Sequence, residues 1–304
     1  MYFVLKSSFY EKTDTGIFGM MEYKKISVIT VAYNCEQFLE TMCKSFAYQD
    51  YPNMEWIIVN DASTDSTAAL LQRYKKRDKR VKLCLNKTHK GATESYSYAI
   101  SKATGDYIAI LEPENFWVKD KISRHYAFML RYNFILSHTS YAFADHSCNL
   151  LPVGCAFIEP KVSLVNYDKD ANICLSTFMM NREETKEYFP MNLTDEDKKN
   201  NIDIVMYLMR KGFISRGNTE ILTLCRPQYN IPQKIKQLEE VKKIYEQMKS
   251  EDITIPSLMK YQAYQATNVT AIKLHPSFCI DRDVSISMEE LKNFKFGRKY
   301  GKKK

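Results

Sequence analysis

Short apolar segments alternate with helical patterns in the first third of the chain, and each apolar segment ends in polar residues. The first such segment covers residues 26–34, and the second, residues 54–67, runs into a turn rich in helix N-cap residues. Between them, apolar side chains recur at helical spacing: Phe38, Leu39, Met42 and Phe46. Buried strands joined by helices predict a parallel sheet with right-handed crossovers.

Two further strands extend this order. Residues 81–85 follow a basic helix that ends near Arg80, and Gly91 precedes a helix that runs to about Ala103. A fourth apolar strand follows Gly105. The resulting βαβαβαβ order predicts an α/β protein with a Rossmann-like, mostly parallel, doubly wound sheet.

Two carboxylates, Glu112 and Glu114, stand one residue apart directly after the fourth strand. Parallel strands deliver the residues that follow them to the carboxyl edge of the sheet, where α/β enzymes bind their ligands. Two carboxylates so close repel each other unless a cation or a proton joins them. Their spacing therefore indicates a divalent metal that holds a diphosphate, and a loop with two solvated acids is the alternative.

At these segments the chain resembles family 2 glycosyltransferases with the GT-A fold. The resemblance extends over residues 24–120 and is carried by four motifs, at residues 26–34, 57–67, 86–91 and 103–117. Residues 132–226 are similar, more weakly, to the acceptor half of small bacterial polysaccharide and lipopolysaccharide glycosyltransferases. The resemblance implies a GT-A domain that binds the donor in its first half and the acceptor in its second.

The predicted domain boundaries follow from this resemblance. The parts are an N-terminal extension (1–23), a nucleotide-sugar-binding half (24–120), an acceptor half (121–230) and a helical extension with a basic tail (231–304). The helical extension is expected because apolar residues recur at helical spacing from Ile235 to Met248, a stripe that packs on its own domain or joins two subunits.

The resemblance also implies which residues hold the nucleotide base. Thr30, Val31 and Tyr33, at the end of the first strand, would line uracil or another base. Asp61, after the second strand, would accept a hydrogen bond from that base, because an unpaired carboxylate at a buried strand end would be costly. The family usually has two adjacent aspartates there, and this chain has Asn60 at the first position.

The diphosphate and metal are expected at three further positions. Glu112 would face the ribose and Glu114 would bind Mg²⁺ or Mn²⁺ together with Glu112, where the family usually has an Asp-x-Asp-Asp motif. Gly91 begins a helix whose free N–H groups suit a phosphate, although an ordinary turn glycine is the alternative. The family's usual Arg-Asn pair in that helix is replaced by Tyr96 and Ser97.

The catalytic base is the carboxylate that would remove the acceptor proton, and here the chain departs from the family. The family's Glu-Asp pair falls on residues 200–201, which are both asparagine and cannot act as bases. Asp203 is the nearest substitute, followed by Asp197 and then Asp195. The alternatives are that Asp203 only favours a helix N-terminus, or that the chain is a degenerate, non-catalytic nucleotide-sugar-binding protein.

These expectations predict an inverting transfer of a sugar from a nucleoside-diphosphate sugar, with UDP-sugar favoured, to a saccharide or lipid-linked acceptor in surface polysaccharide biosynthesis. A nucleotidyltransferase is disfavoured because no glycine-rich phosphate loop with a following lysine comes after the first strand.

Composition and charge bear on location and partners. No apolar run approaches the roughly 20 residues that span a bilayer, and the eight cysteines form no CxxC pair, so we expect a cytoplasmic protein with reduced thiols. The net charge is +8. Positive residues concentrate at the C-terminus without any acid between them: Lys292, Lys295, Arg298, Lys299, Lys302, Lys303 and Lys304.

This basic tail is expected either to make a peripheral contact with an anionic membrane at its inner face or to be a solubilising segment. Nucleic acid is not expected as a partner, because no RNA-binding or helix-turn-helix motif accompanies the charge.

Overall fold

The computed structural model describes residues 9–12, 18–21, 23–144, 150–156, 161–164, 174–195, 197 and 202–226. The expected helical extension and basic tail, and the asparagines at 200–201, lie outside these residues. Within the expected N-terminal extension, β1 (Phe9–Lys12) and β2 (Phe18–Met21) pair antiparallel in a sheet of their own. Among the described residues, no helix has the length and apolar character that a membrane span requires.

The first half of the domain is the predicted parallel sheet. Four parallel strands lie in the order β6-β3-β4-β5. Their bounds are Ile26–Ala32 for β3, Met54–Asn60 for β4, Val81–Leu85 for β5 and Tyr107–Ile110 for β6. The connecting helices are α1 (Leu39–Ala47), α2 (Thr67–Arg77) and α3 (Ala92–Ser101). The order of these elements confirms the βαβαβαβ prediction.

Strands β3, β4 and β6 are buried along their whole length because both faces of the sheet are covered. Successive side chains of a strand point to opposite faces, so Ile29 and Val31 enter one hydrophobic cluster while Val28 and Ala32 enter another. This is why these strands appear in the sequence as continuous apolar runs rather than alternating ones.

The second half of the domain is a mixed extension of the same sheet. Its strands are β7 (Phe116–Trp117), β8 (Leu136–Ala144), β9 (Leu150–Ala156), β10 (Lys161–Val162), β11 (Phe178–Asn181) and β12 (Ser215–Cys225). Its helices are α4 (Lys121–Tyr132), α5 (Arg182–Thr185) and α6 (Ile204–Arg210), with short 3₁₀ turns at Leu175–Thr177 and Lys186–Tyr188.

Strand β11 joins the two halves because it pairs antiparallel with both β6 and β8. The full order is β10-β12-β8-β11-β6-β3-β4-β5, with β9 on β8 and β7 on the end of β12. Strands β8 and β12 are parallel to each other. The predicted parallel sheet is therefore found in the first half of the domain, and the second half adds both parallel and antiparallel pairs.

The amino edge of the sheet is fixed by a buried carboxylate, Glu55. Its carboxylate accepts a hydrogen bond from the Thr104 amide (2.8 Å). It also forms salt bridges with Lys25 (2.9 Å) and Lys82 (2.7 Å). Burial opposes ionisation of Glu55, but these donors outweigh it and lower its pKa. A side chain at Gly105 would lie 2.7 Å from the Lys25 carbonyl oxygen, so the turn requires glycine. This edge is structural, and the predicted site residues lie at the opposite edge.

Candidate active site

Asp61 follows β4 and is completely buried. Its carboxylate accepts hydrogen bonds from the Asn86 side chain (2.6 Å) and from the amides of Lys90 (3.0 Å) and Gly91 (2.9 Å), and it lies 3.0 Å from His89 Nδ1. Burial opposes ionisation, but the hydrogen bonds outweigh it and lower the pKa of Asp61. The protein thus supplies hydrogen-bond partners to Asp61, and contact of its carboxylate with a nucleotide base stays a prediction.

Of the residues predicted to line the nucleotide base, two lie in the core and one lies at the surface. Thr30 is completely buried, and its hydroxyl donates to the Leu111 carbonyl (2.6 Å) and accepts from Trp56 Nε1 (2.9 Å). Val31 packs in the hydrophobic core. The side chains of Thr30 and Val31 therefore pack inside the sheet, and the expected contact of these two residues with a base stays a prediction. Tyr33 is 45% exposed, as a base-contacting residue has to be.

His89 lies beside Tyr33 at this edge. The two ring centroids are 4.2 Å apart and the ring planes are inclined by 35°. The Tyr33 loop is held in place by the following residue, because the Asn34 side chain accepts a hydrogen bond from the Thr64 amide (2.8 Å). The end of β3 and the loop after β5 thus form one exposed aromatic surface.

A cleft of about 330 Å³ opens from this surface between the N-termini of α3 and α6. The Thr93 hydroxyl bridges the two helix starts by donating to the Ile202 carbonyl (2.8 Å). The cleft is lined by His89, Gly91, Ala92, Thr93, Tyr96, Leu175, Asp203 and Ile204. The structure therefore brings two predicted site residues, Gly91 and Asp203, to one cavity although they lie far apart in sequence.

Gly91 shapes the start of α3. Its φ of +88° is a conformation that side chains disfavour, and its amide donates to Asp61. The helix begins at Ala92, and the amide groups of a first turn have no acceptor within their own helix. The N-terminus of α3 therefore faces the cleft, and binding of a phosphate there stays a prediction.

Glu112 is held from several sides. Its Oε2 accepts hydrogen bonds from the Ser176 amide (3.1 Å) and hydroxyl (3.0 Å), the Asn115 side chain (2.9 Å) and the Cys174 thiol (3.3 Å). Burial and the charge of Glu114 nevertheless raise the pKa of Glu112 to about 7. The two acids therefore interact electrostatically, as their spacing predicted.

Arg226, the last described residue, lies against the acidic motif that contains Glu112 and Glu114. Strand β7 pairs with the end of β12, which places Arg226 behind the motif. It is only 7% exposed, and it donates from its guanidinium to the Glu114 carbonyl (3.2 Å) and from its amide to the Asn115 side chain (3.2 Å). Its guanidinium also lies 5.3 Å from the centre of the Phe116 ring. The acidic motif is thus enclosed by residues from both halves of the domain.

Asp203 is the N-cap of α6. Its Oδ1 accepts a hydrogen bond from the Met206 amide (2.7 Å), and the residue also borders the cleft. The structural role that we weighed against catalysis is therefore present, in a residue that also borders the cavity.

The other two candidate bases are placed differently. Asp197 accepts hydrogen bonds from the Thr194 hydroxyl (2.8 Å) and from Arg210 (2.6 Å), and these partners lower its pKa. Asp195 is exposed. Neither residue is among those that line the cleft. Asp203 is therefore the predicted base that the geometry favours.

Sequence reasoning missed several residues of this site. The loop Asn86-x-x-His89-x-Gly91 carried a signal, since polar side chains followed a strand end, but only Gly91 was singled out. The sequence around Ser176 and Arg226 gave no such signal, because each residue reaches the acidic motif from a distant part of the chain.

The family model for glycosyl transferase family 2 matches residues 27–189, just over half of the chain. The chain belongs to that family. The matched region runs from β3 past β11 and includes Asp61, Gly91, Glu112 and Glu114. The resemblance noted from the sequence motifs is confirmed, and the protein is a glycosyltransferase.

Relatives of this glycosyltransferase come from several bacteria. TuaG of Bacillus subtilis strain 168, provisionally named a teichuronic acid biosynthesis glycosyltransferase, is 32% identical over 199 residues, which cover 65% of this chain and 77% of TuaG. WfaP of Escherichia coli is 28% identical over 201 residues, covering 66% of this chain and 76% of WfaP. Its name describes a UDP-Glc:α-D-GlcNAc-diphosphoundecaprenol β-1,3-glucosyltransferase.

Solved structures show the same architecture. Residues 1–349 of Staphylococcus aureus TarS, crystallised with UDP-GlcNAc, superpose with a TM-score of 0.51 at 17% sequence identity, covering 81% of this chain and 72% of that one. The uncomplexed TarS structure gives the same TM-score and covers 88% of this chain. The GT-A fold predicted from the sequence is confirmed.

Proposed function

We propose that this glycosyltransferase moves a sugar from a UDP-sugar to a saccharide or lipid-linked acceptor of a surface polysaccharide, with inversion at the anomeric carbon. The observation that carries the proposal is the cleft between α3 and α6. Its lining includes both His89, whose ring lies against Tyr33, and Asp203, so a donor bound beside His89 would lie in the same cavity as the proposed base.

Donor binding is assigned along the carboxyl edge of the sheet. Tyr33, exposed at the end of β3, offers a ring on which the base stacks. Glu112 faces the ribose, and the N-terminus of α3 after Gly91 contributes N–H groups to the diphosphate. The sequence positions of these residues within the family motif support this arrangement.

Glu114 is the residue that would hold Mg²⁺ or Mn²⁺. Among the residues that the structure describes, no group of three or more His, Cys, Asp or Glu side chains could hold a metal by itself. One or two carboxylates suffice when substrate phosphates supply further ligands. The fit is electrostatic, because burial and the charge of Glu114 raise the pKa of Glu112, and a cation would favour the ionised form of both acids. A bound cation supplies charge neutralisation for the departing diphosphate.

Asp203 is proposed as the general base. Its carboxylate removes the proton from the acceptor hydroxyl while the hydroxyl oxygen attacks the anomeric carbon from the face opposite the nucleotide. The bond to the diphosphate oxygen breaks, and UDP leaves with the electron pair. The position of Asp203 at the cleft wall supports this role.

The class of acceptor is inferred from the relatives. TuaG is named for teichuronic acid synthesis and WfaP for a diphosphoundecaprenol-linked acceptor, and both match about two thirds of this chain. We therefore favour a lipid-linked saccharide as acceptor and a location at the inner face of the membrane. Contact of the basic tail with that membrane remains part of the proposal.

A second candidate function is nucleotide-sugar binding without transfer. It is favoured by one observation, namely that the Asp203 carboxylate already serves as the cap of α6 while the family's usual base position holds Asn201.

The test is a donor assay with purified protein, UDP-glucose and UDP-GlcNAc, with and without Mn²⁺. We expect slow release of UDP from the donor alone and faster release when a diphosphoprenol-linked saccharide is added. Proton NMR of the product should show an anomeric configuration opposite to that of the donor. Nucleotide binding without UDP release on any acceptor would favour the second candidate.

A further inference from the structure

We infer that Lys121 is a positioning residue, which holds the 3₁₀ turn Leu175–Thr177 against Glu112 and so keeps the acidic motif ordered for a metal-bound diphosphate. Lys121 is the first residue of α4 and lies beyond the last of the family motifs, which ends at Trp117. The inference rests on the proposed function, because it assumes that Glu112 and Glu114 hold a cation together with the diphosphate of the donor.

Lys121 is completely buried, although burying a lysine amine is costly. Its Nζ atom lies 2.6 Å from His125 Nδ1, and it donates hydrogen bonds to the Thr177 carbonyl (3.2 Å) and the Thr139 hydroxyl (3.3 Å). None of these three partners is an acid. An apolar side chain of similar length would fill the same space without the cost, so what the amine adds is its hydrogen bonds.

The hydrogen bonds around Lys121 are complete when both it and His125 are neutral. Burial lowers the pKa of Lys121 and of His125 well below their usual ranges. A neutral amine has one lone pair, which accepts the Nδ1–H of His125, and the Nε2 atom of that ring then accepts the Ser137 hydroxyl at 2.6 Å. Both N–H groups of the amine are therefore available to Thr177 and Thr139.

The Thr177 carbonyl connects Lys121 to the acidic motif. Thr177 ends the turn whose central residue, Ser176, donates its amide (3.1 Å) and its hydroxyl (3.0 Å) to Glu112. The Ser176 carbonyl accepts a hydrogen bond from Trp117 Nε1 (2.8 Å). Two successive carbonyls of the turn are thus held by the segment that directly follows the acidic motif, and the turn in its surroundings holds Glu112.

This arrangement makes the orientation of Glu112 depend on Lys121. Residues that orient a metal ligand through hydrogen bonds typically contribute 10- to 100-fold to metal affinity or activity. Without the amine, the Trp117 contact still holds the Ser176 carbonyl, but the Thr177 carbonyl loses a donor and the turn is less firmly held. The affinity for a metal-bound diphosphate should then fall, whereas the packing of α4 does not require an N–H group at this position.

The test is calorimetric binding of UDP, with and without saturating Mn²⁺, to wild type and Lys121→Met, together with their melting temperatures. Methionine has a similar length and no N–H group. The matched control is Ile122→Val, a change at the next residue of α4, which is also completely buried but whose apolar side chain makes no hydrogen bond to the turn. Lys121→Leu is the second variant if methionine disturbs the fold.

Lys121→Met should bind UDP in Mn²⁺ about tenfold more weakly than wild type, at an equal or higher melting temperature. Without Mn²⁺ the two proteins should bind UDP alike. Ile122→Val should keep the affinity of wild type at a slightly lower melting temperature.

Equal affinities of wild type and Lys121→Met in Mn²⁺ would overturn the inference and leave the proposed function intact. The same holds for a loss of affinity that is equal with and without Mn²⁺, that accompanies a fall in melting temperature, or that Ile122→Val shares, because each of these results assigns Lys121 a merely structural role. A wild type whose UDP binding does not respond to Mn²⁺ would overturn both the inference and the proposed metal site.

Discussion

Glu112 accepts two hydrogen bonds from Ser176, one from the backbone amide at 3.1 Å and one from the hydroxyl at 3.0 Å, although the residues are 64 positions apart. The Glu112 amide in turn donates to the Ser176 hydroxyl at 2.9 Å. This reciprocal contact holds the carboxylate against the 3₁₀ turn Leu175–Thr177 beside a second acid, Glu114. Burial and the neighbouring charge of Glu114 therefore disfavour the ionised form of Glu112.

Folding stability should depend on pH through Glu112. Its pKa is raised from 4.5 to about 7 by burial and by Glu114. The stability contributed by the protonated form is therefore complete below pH 4.5 and is lost as the pH rises through about 7. Thermal melts of wild type and Glu112→Gln without metal should diverge in this window, with wild type losing more stability. Parallel curves would show that Glu112 is already ionised, and Glu183→Gln, at an exposed ion pair, is the control.

Glu114→Gln should weaken metal-dependent binding of UDP. The variant removes the charge that a divalent cation would contact, and the expected loss is about 1–3 kcal/mol, typical of a charge-assisted interaction. Isothermal titration with and without saturating Mn²⁺ measures this difference. Equal affinities of wild type and Glu114→Gln in Mn²⁺ would remove Glu114 from the metal site.

Asp61→Asn should destabilise the fold before it affects chemistry. The amide group of asparagine replaces one carboxylate oxygen by NH2, so either the Lys90 amide, bound to Oδ1, or the Gly91 amide, bound to Oδ2, then lacks an acceptor, at a cost of about 1–3 kcal/mol. The effect should be largest near neutral pH. It should shrink as acid titrates wild-type Asp61 through its lowered pKa, because wild type then loses the same stability. Urea unfolding at several pH values measures it, and a variant as stable as wild type at pH 7 would contradict this role.

The catalytic role of Asp203 can be separated from its capping role because asparagine caps helices about as well as aspartate. Asp203→Asn should keep the stability of α6 while lowering transfer by roughly 10²- to 10⁴-fold, the typical effect of losing a general base. Asp203→Ala should lower both the transfer rate and the stability of the protein, the latter by about 0.5–2 kcal/mol because the helix cap is lost. Asp197→Asn, which breaks a contact with Arg210 away from the cleft, should leave the transfer rate unchanged. If Asp203→Asn transfers at the wild-type rate, the residue is a cap and nothing more.

The donor half of the fold was predictable because its signals are local. Strands such as Ile26–Ala32 are buried on both faces and appear as unbroken apolar runs, and each is followed by a helix with its own periodicity. The acceptor half was harder to predict, since β11 is only four residues long and its place between β6 and β8 depends on pairings with distant strands. No short-range pattern encodes such a position.

The place of the candidate residues at the sheet edge was predictable, whereas the contacts of their side chains were not. Thr30 was expected to line a base, and its hydroxyl hydrogen-bonds to Leu111 and Trp56 inside the sheet. Asp61 was expected to contact a base, and the loop after β5 already donates hydrogen bonds to its carboxylate. In both cases a motif located the residue at the sheet edge, and contacts with residues far along the chain decided what its side chain does.

The pairing of β7 with β12 places Arg226 behind the acidic motif, and this has a consequence for how the enzyme matures. The residues that enclose Glu112 and Glu114 come from positions 115, 174, 176 and 226, so most of them are synthesised long after the strand that carries the acids. A nascent chain that has completed only the parallel sheet has two carboxylates without these partners. The surroundings of Glu112 and Glu114 are therefore complete only when β12 docks, so a truncation before β12 should leave the acidic motif without its support even if the parallel sheet forms.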